Sequence, residues 1–194
     1  MASLIRPEDL LPVAEYERVR AERRAAIIRA RERRRVEIGP WLSVVFENRD
    51  SVLYQIQEMI RIERLTEPDK VRFEIDTYSE LLPGPGELSG TLFVEIMNED
   101  ERRRALPGLV GIERALRLRA GGAVSAGQDK RPIDAAVARP QAACVYYLRF
   151  ALPPALCDAL RVAAEPVWLA AEHPRYGHAA RLAPALVAEL AREI

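Results

Sequence analysis

The stretch FENRDSVLYQIQEMIRIERL, residues 46–65, sets the fold class, because within it an extended run gives way to a helix. Just upstream, VEIGPWLSVVFE (residues 36–47) is β-branched and aromatic and reads as a strand, bent at Gly39 and Pro40. Beyond it, at about 100° per residue, Val52, Leu53, Ile56, Met59, Ile60 and Ile62 fall in one broad arc, which predicts an amphipathic helix. Two polar side chains share that arc: Gln55 projects between Ile62 and Met59, and Glu63 between Val52 and Ile56. Tyr54, Gln57, Glu58, Arg61 and Arg64 point the other way.

A buried, unpaired carboxylate is costly, so Glu63 must meet an arginine, take up a proton, bind a metal or lie where the face opens to water. In one reading Glu63 pairs with Arg49 or with an arginine of the N-terminal helix and does no chemistry. In the other, Glu47, Asn48, Arg49, Gln55 and Glu63 form a polar pocket at the strand–helix junction. Arg49 would there grip a carboxylate with both arms of its fork, and the first N–H groups of the helix would seat an anion.

The remaining segments extend the pattern. Residues 67–82 read as a second helix opening on Pro68, and PGPGE (83–87) as a loop. LSGTLFVEI alternates, with Leu88, Leu92, Val94 and Ile96 on one face, as a half-buried strand should. NEDERRRAL (98–106) puts acids first and arginines last, the order the helix dipole favours. Residues 112–120 make a third strand with Leu116 and Leu118 inward. Residues 143–151 make another, with Cys144, Tyr146, Leu148 and Phe150 inward. LPPALCDALRVAA opens a helix on proline, VWLAAE reads as a strand, HPRYGH as a turn, and residues 183–194 as the closing helix. Breaker-rich residues 121–141 are expected to form a long loop. The expectation is a single α+β domain over residues 1–194: a mainly antiparallel sheet of five or six strands packed with helices, with an N-terminal helical arm over residues 1–35.

Composition narrows the function. The chain has 194 residues, 49% hydrophobic and 30% charged, with 29 basic and 29 acidic side chains, so nothing draws it as a whole to nucleic acid or anionic lipid. No apolar run is long enough to span a membrane, and the N-terminus carries acids where a secretory signal would be apolar, so the expected location is cytoplasmic. Cys144 and Cys157 form no CxxC or paired framework and read as packing residues. The charge is uneven, however. From Arg18 to Arg35 nine arginines face only Glu22 and Glu32, a local balance of +7 on a predicted helix. Such a helix would bind phosphate in a salt-sensitive way. A solvated face pairing with acids elsewhere is preferred, because no aromatic platform accompanies the charge. His173 and His178 flank PRYG and are weak candidates for sharing a metal; a turn with one packed and one exposed histidine is preferred. No phosphate loop, nucleophile elbow, HExxH, dinucleotide fingerprint or di-iron ExxH spacing is present, and no cofactor is implied.

The stretch GPWLSVVFENRDSVLYQIQEMIRIERL, followed by ELSGTLFVEI, LVGIE, YYLRF and HPRYGHAARL, resembles an uncharacterised bacterial family, domain of unknown function 3501, through nearly the whole chain. The resemblance implies the company of rubrerythrin-like and iron–sulfur oxidoreductase proteins, and hence a part in an oxidative-stress or electron-transfer system. It carries over no catalytic residue. Two readings follow. The first is a non-catalytic accessory protein that docks on a redox partner through the arginine helix and Arg49. The second is an enzyme or metal-binding protein using Glu47, Glu63 and His173. Self-association into a homo-oligomer is open in both.

Overall fold

The computed structural model describes residues 4–130 and 141–194. Eight strands form one sheet: β1 (Arg35–Ile38), β2 (Leu42–Glu47), β3 (Glu87–Val94), β4 (Leu116–Ala120), β5 (Ala123–Asp129), β6 (Val145–Ala151), β7 (Val167–His173) and β8 (Tyr176–Arg181). Their spatial order is β1-β2-β3-β6-β5-β4-β7-β8, and every neighbouring pair is antiparallel. The sheet curls until its edge strands β1 and β8 lie alongside one another, giving a nearly closed barrel. This corrects the expected five- or six-stranded sheet packed with helices.

Three tight reversals account for the difference. The run expected as one bent strand turns back at Gly39, whose φ of 68° is left-handed, so Ile38 pairs with Leu42. A side chain there would also collide, since a Cβ on Gly39 would lie 2.6 Å from His178 Cγ. The expected loop over 121–141 is overturned at its start: Gly121 and Gly122 make a two-residue hairpin that pairs Ala120 with Ala123 and opens β5. Residues 131–140 of that expectation lie outside the described residues. Likewise His173 pairs with Tyr176, so the expected HPRYGH turn is mostly strand.

Inside the barrel, Phe46, Leu88, Leu92, Leu116, Leu118, Leu148, Phe150 and Leu169 form one core, joined by residues of helices α5 (Pro154–Val162) and α6 (Pro184–Leu190). A short helix α4 (Glu99–Ala105) leads into the 3-10 turns that add Leu106, Leu109 and Ile112. Outside the barrel, helices α1 (Val13–Arg33), α2 (Arg49–Glu63) and α3 (Pro68–Ser79) form a second layer. Val52, Ile56, Ile60, Ile75 and Leu81 cluster there against Tyr147 of β6, each full burial contributing about 1.5–3 kcal/mol. Strand β2 is therefore buried on both faces: Val44 and Phe46 look into the barrel, while Glu47 looks out into the helical layer.

Candidate functional site

At the end of β2 the chain must stop pairing and start a helix, and Asn48 makes the switch. Its side chain accepts from the Ser51 N–H while Ser51 Oγ accepts from the Asn48 N–H, a reciprocal cap. The same Ser51 hydroxyl donates to Glu47 Oε2 at 2.5 Å, and Thr91 Oγ1 of β3 donates to Glu47 Oε1 at 2.6 Å. Glu47 is 2% exposed, with the Arg31 guanidinium of α1 at 3.9 Å. Both carboxylate oxygens are thus held by hydroxyls from α2 and the sheet, as a buried charge requires.

Beside it, Arg34 is buried to 1% exposure at the end of α1 and uses all five N–H donors. Nε donates to the Phe46 carbonyl at 2.7 Å and Nη2 to the Glu47 carbonyl at 3.3 Å. Nη1 reaches Glu189 at 2.6 Å and Glu193 at 2.7 Å, and Nη2 also reaches Glu193 at 2.9 Å. One guanidinium thereby ties α1, β2 and the C-terminal helix together.

The other expected site residues do not converge here. Arg49 turns back to Asp9 at 2.7 Å, and neither Glu63 nor Glu47 touches it. Glu63 is exposed, against the expectation of a core-side position. Its azimuth was right and its level wrong: the last buried residue of α2 is Ile60, and three more residues carry Glu63 about 4.5 Å past the core. It lines a cleft at the α2–α3 corner with Phe73 and Glu74, where burial and then the charge of Glu63 push the Glu74 carboxyl up. Gln55 is half-buried and its Oε1 has no hydrogen-bond partner.

Of the residues expected on the outer side of α2, Gln57 is buried and Glu58 half-buried. Gln57 is 2% exposed and pairs with the Leu11 backbone through Nε2 at 3.0 Å and Oε1 at 2.8 Å. Glu58 accepts from Tyr16 at 2.7 Å and from Arg20 at 2.8 and 2.9 Å, and the Arg20 guanidinium holds its carboxyl down at about 2 against the upward push of burial. A capped α2 with a mixed QxQE run was signal that a second helix lies over that side.

His173 donates from Nε2 to the Val110 carbonyl at 3.1 Å and accepts at Nδ1 from the Arg175 N–H at 3.2 Å, so both ring nitrogens are engaged. His178 is exposed, its ring 4.4 Å from that of Tyr176. Among the described residues no group of three His, Cys, Asp or Glu side chains is placed to hold a metal ion. Cys144 is exposed rather than inward, and Cys157 is half-buried. Among the described residues no helix is long and apolar enough to cross a membrane.

The arginine run expected on one helix lies on α1 as far as Arg33, with Arg34 capping it and Arg35 opening β1; of the 21 residues of α1 only Tyr16 is buried. Arg20, Arg31, Arg34 and Arg35 have carboxylate partners. Arg18, Arg23, Arg24, Arg29 and Arg33 are exposed, without a carboxylate partner among the described residues.

No curated protein matches this chain. A crystal structure of a novel protein of unknown function from Burkholderia pseudomallei K96243 is similar: 34% identity over 99% of this chain and 100% of that one, with a TM-score of 0.88. The match to the family described as protein of unknown function (DUF3501) runs over residues 4–194, and the chain belongs to that family.

Proposed function

We propose that this protein is a docking or accessory protein whose recognition element is helix α1, and that it serves a redox or oxidative-stress system by binding an acidic partner there. The observation that carries the reading is the solvated helix itself. Five exposed arginines, Arg18, Arg23, Arg24, Arg29 and Arg33, stand on it without a carboxylate partner among the described residues, while Arg20, Arg31, Arg34 and Arg35 hold carboxylates of other elements. Weakly hydrated, forked guanidiniums on a rigid rod suit carboxylates on another surface. Alanines at 14, 21, 25, 26 and 30 keep the rod helical without burial. The candidate partners are rubrerythrin-like and iron–sulfur oxidoreductase proteins. The competing reading, catalysis at the 47–63 junction, gains nothing from the geometry, because Glu47 is satisfied internally and Glu63 stands at the other end of α2.

The test is calorimetric titration of the full chain with the rubrerythrin-like protein of the same organism, repeated at rising salt. The expected result is a complex that weakens with salt and loses about tenfold or more in affinity in the Arg23→Glu/Arg24→Glu/Arg29→Glu variant. A complex indifferent to that triple change, or no complex at low salt, would remove α1 as the recognition element.

A further inference from the structure

The sheet register assembles a surface that the linear sequence conceals. Arg119 of β4 pairs with Val124 of β5 on one side and with Trp168 of β7 on the other, and Trp168 in turn pairs with Arg181 of β8. Val124, Arg119, Trp168 and Arg181 therefore stand in one row across four strands, on the outward face. With strands about 4.8 Å apart, an arginine stem flanks the indole on each side. Trp168 is 40% exposed and Val124 45% exposed. In the next row Arg117 stands between Ala126 and Ala170, with Ala179 beyond, so three of the four positions are small.

Arg181 has no carboxylate partner among the described residues, and Arg117 and Arg119 share the single acid Glu172. Arg181 also lines a cleft of ≈ 310 Å³ at the barrel seam together with Arg33 and Arg35, and with Glu32 and Glu37. That cleft joins the end of α1 to the tryptophan face.

We propose that this outer face of β5, β4, β7 and β8 binds single-stranded nucleic acid, a base stacking on Trp168 while Arg119 and Arg181 meet the adjoining phosphates. A solvent-facing indole with arginines in the neighbouring register positions of a sheet surface is the combination that unpaired strands use, since every base offers a π-face and every linkage a charge. A duplex hides its base faces and does not reach the ring. An acidic protein surface would use the arginines but leave the indole without a stacking partner. The inference stands on Trp168 and the register, and is separate from the docking role proposed for α1.

The test uses the full chain and a fluorescein-labelled thymidine oligonucleotide of about twelve nucleotides, within the span such surfaces cover. Anisotropy should report binding that weakens with salt, with quenching of tryptophan emission. Trp168→Ala should weaken it by about tenfold or more, Trp168→Phe should keep most of the affinity, and Arg181→Glu should weaken it and flatten the salt slope. Circular dichroism checks that each variant folds. Trp168→Ala binding as tightly as wild type overturns the proposal. So does equal affinity for a duplex of the same length. Binding that ignores position 168 but disappears in the Arg23→Glu/Arg24→Glu/Arg29→Glu variant also overturns it, because the strand would then be held by the charge of α1 alone.

Discussion

Replacing Arg34 by methionine probes the joint on which three elements depend. The substitution keeps an apolar stem of similar length and deletes the five donors that reach the carbonyls of Phe46 and Glu47 and the carboxylates of Glu189 and Glu193. Each buried carbonyl left without a donor costs about 1–3 kcal/mol. The two glutamates are 26% and 23% exposed, so they can turn to water and lose only about 1 kcal/mol or less each. Part of this is recovered because no guanidinium need be desolvated. The expected net loss is about 3 kcal/mol, a large share of the 5–15 kcal/mol that holds an ordinary domain together (roughly).

Urea denaturation should show the midpoint falling by about 1–3 M at unchanged slope, as befits lost stability without lost compactness. Glu189→Gln/Glu193→Gln in the Arg34 background should also be costly, because it leaves a buried cation facing neutral amides. The same pair of changes in the Arg34→Met background should cost much less, giving a strong coupling in the double-mutant cycle. A loss below about 1 kcal/mol for Arg34→Met, or simple additivity around the cycle, would refute the claim that this guanidinium ties the C-terminal helix to the barrel.

Two further outcomes concern α2. The Glu58 carboxyl, held at about 2 by Arg20 with help from Tyr16 and Arg61, lies below its ordinary 4.5. The stabilisation is therefore full above pH 4.5 and lost as pH falls toward 2. Glu58→Gln should be about 1–2 kcal/mol less stable than wild type at neutral pH, the gap narrowing below pH 4.5 and closing only as pH approaches 2 in urea titrations; a gap that stays constant with pH would contradict the sign. Glu47→Ala leaves a buried void and strands the Thr91 hydroxyl, while Ser51 keeps its Asn48 partners, and should cost about 2–4 kcal/mol by calorimetry. Glu63→Ala, at an exposed helix end, should stay within about 0.5 kcal/mol; equal effects at the two positions would contradict the burial described for them.

The helices were legible because their signals are local. Pro68, Pro154 and Pro184 each stand at the first turn of the helix they open, and Asn48 and Asn98 cap theirs with side-chain hydrogen bonds. Strands β3, β4 and β6 were legible from alternation, since Leu88, Leu92, Leu116, Leu118, Leu148 and Phe150 face the core at every second position. Strand β5 was not. Its inward positions are Ser125 and Gly127, small because Leu116 and Phe150 already fill the space that a Cβ on Gly127 would enter at 3.2 Å. Alternation read by hydropathy fails where a neighbour supplies the volume, although the Gly121–Gly122 pair was a hairpin signal in plain view. At the candidate site the wheel gives the azimuth of Glu63 but not its level, and the polar QxQE run hints at a cover over Gln57 and Glu58 without showing that Leu11 and α1 supply it. Arg34 was one arginine among nine until the distant Glu189 and Glu193 singled it out.

The seam between β1 and β8 shows why the barrel stops short of closure and how that bears on function. An exposed strand edge invites pairing with another chain, so folds shorten, charge or cover it. Here all three devices occur. β1 is only four residues long. At one end Tyr176 Oη donates to the Ile38 carbonyl at 2.6 Å and accepts from the Trp41 N–H at 2.9 Å, so a side chain from β8, not its backbone, meets the end of β1 and the turn after it. At the other end Arg33, Arg35 and Arg181 border the cleft together with Glu32 and Glu37, so charged side chains rather than backbone pairs fill the seam. The edges are thus held beside each other without becoming a continuous ladder. Because α1 runs directly into β1, the unzipped seam also places the arginine helix next to the Trp168 face, so the two surfaces assigned here to binding meet where the barrel is left open.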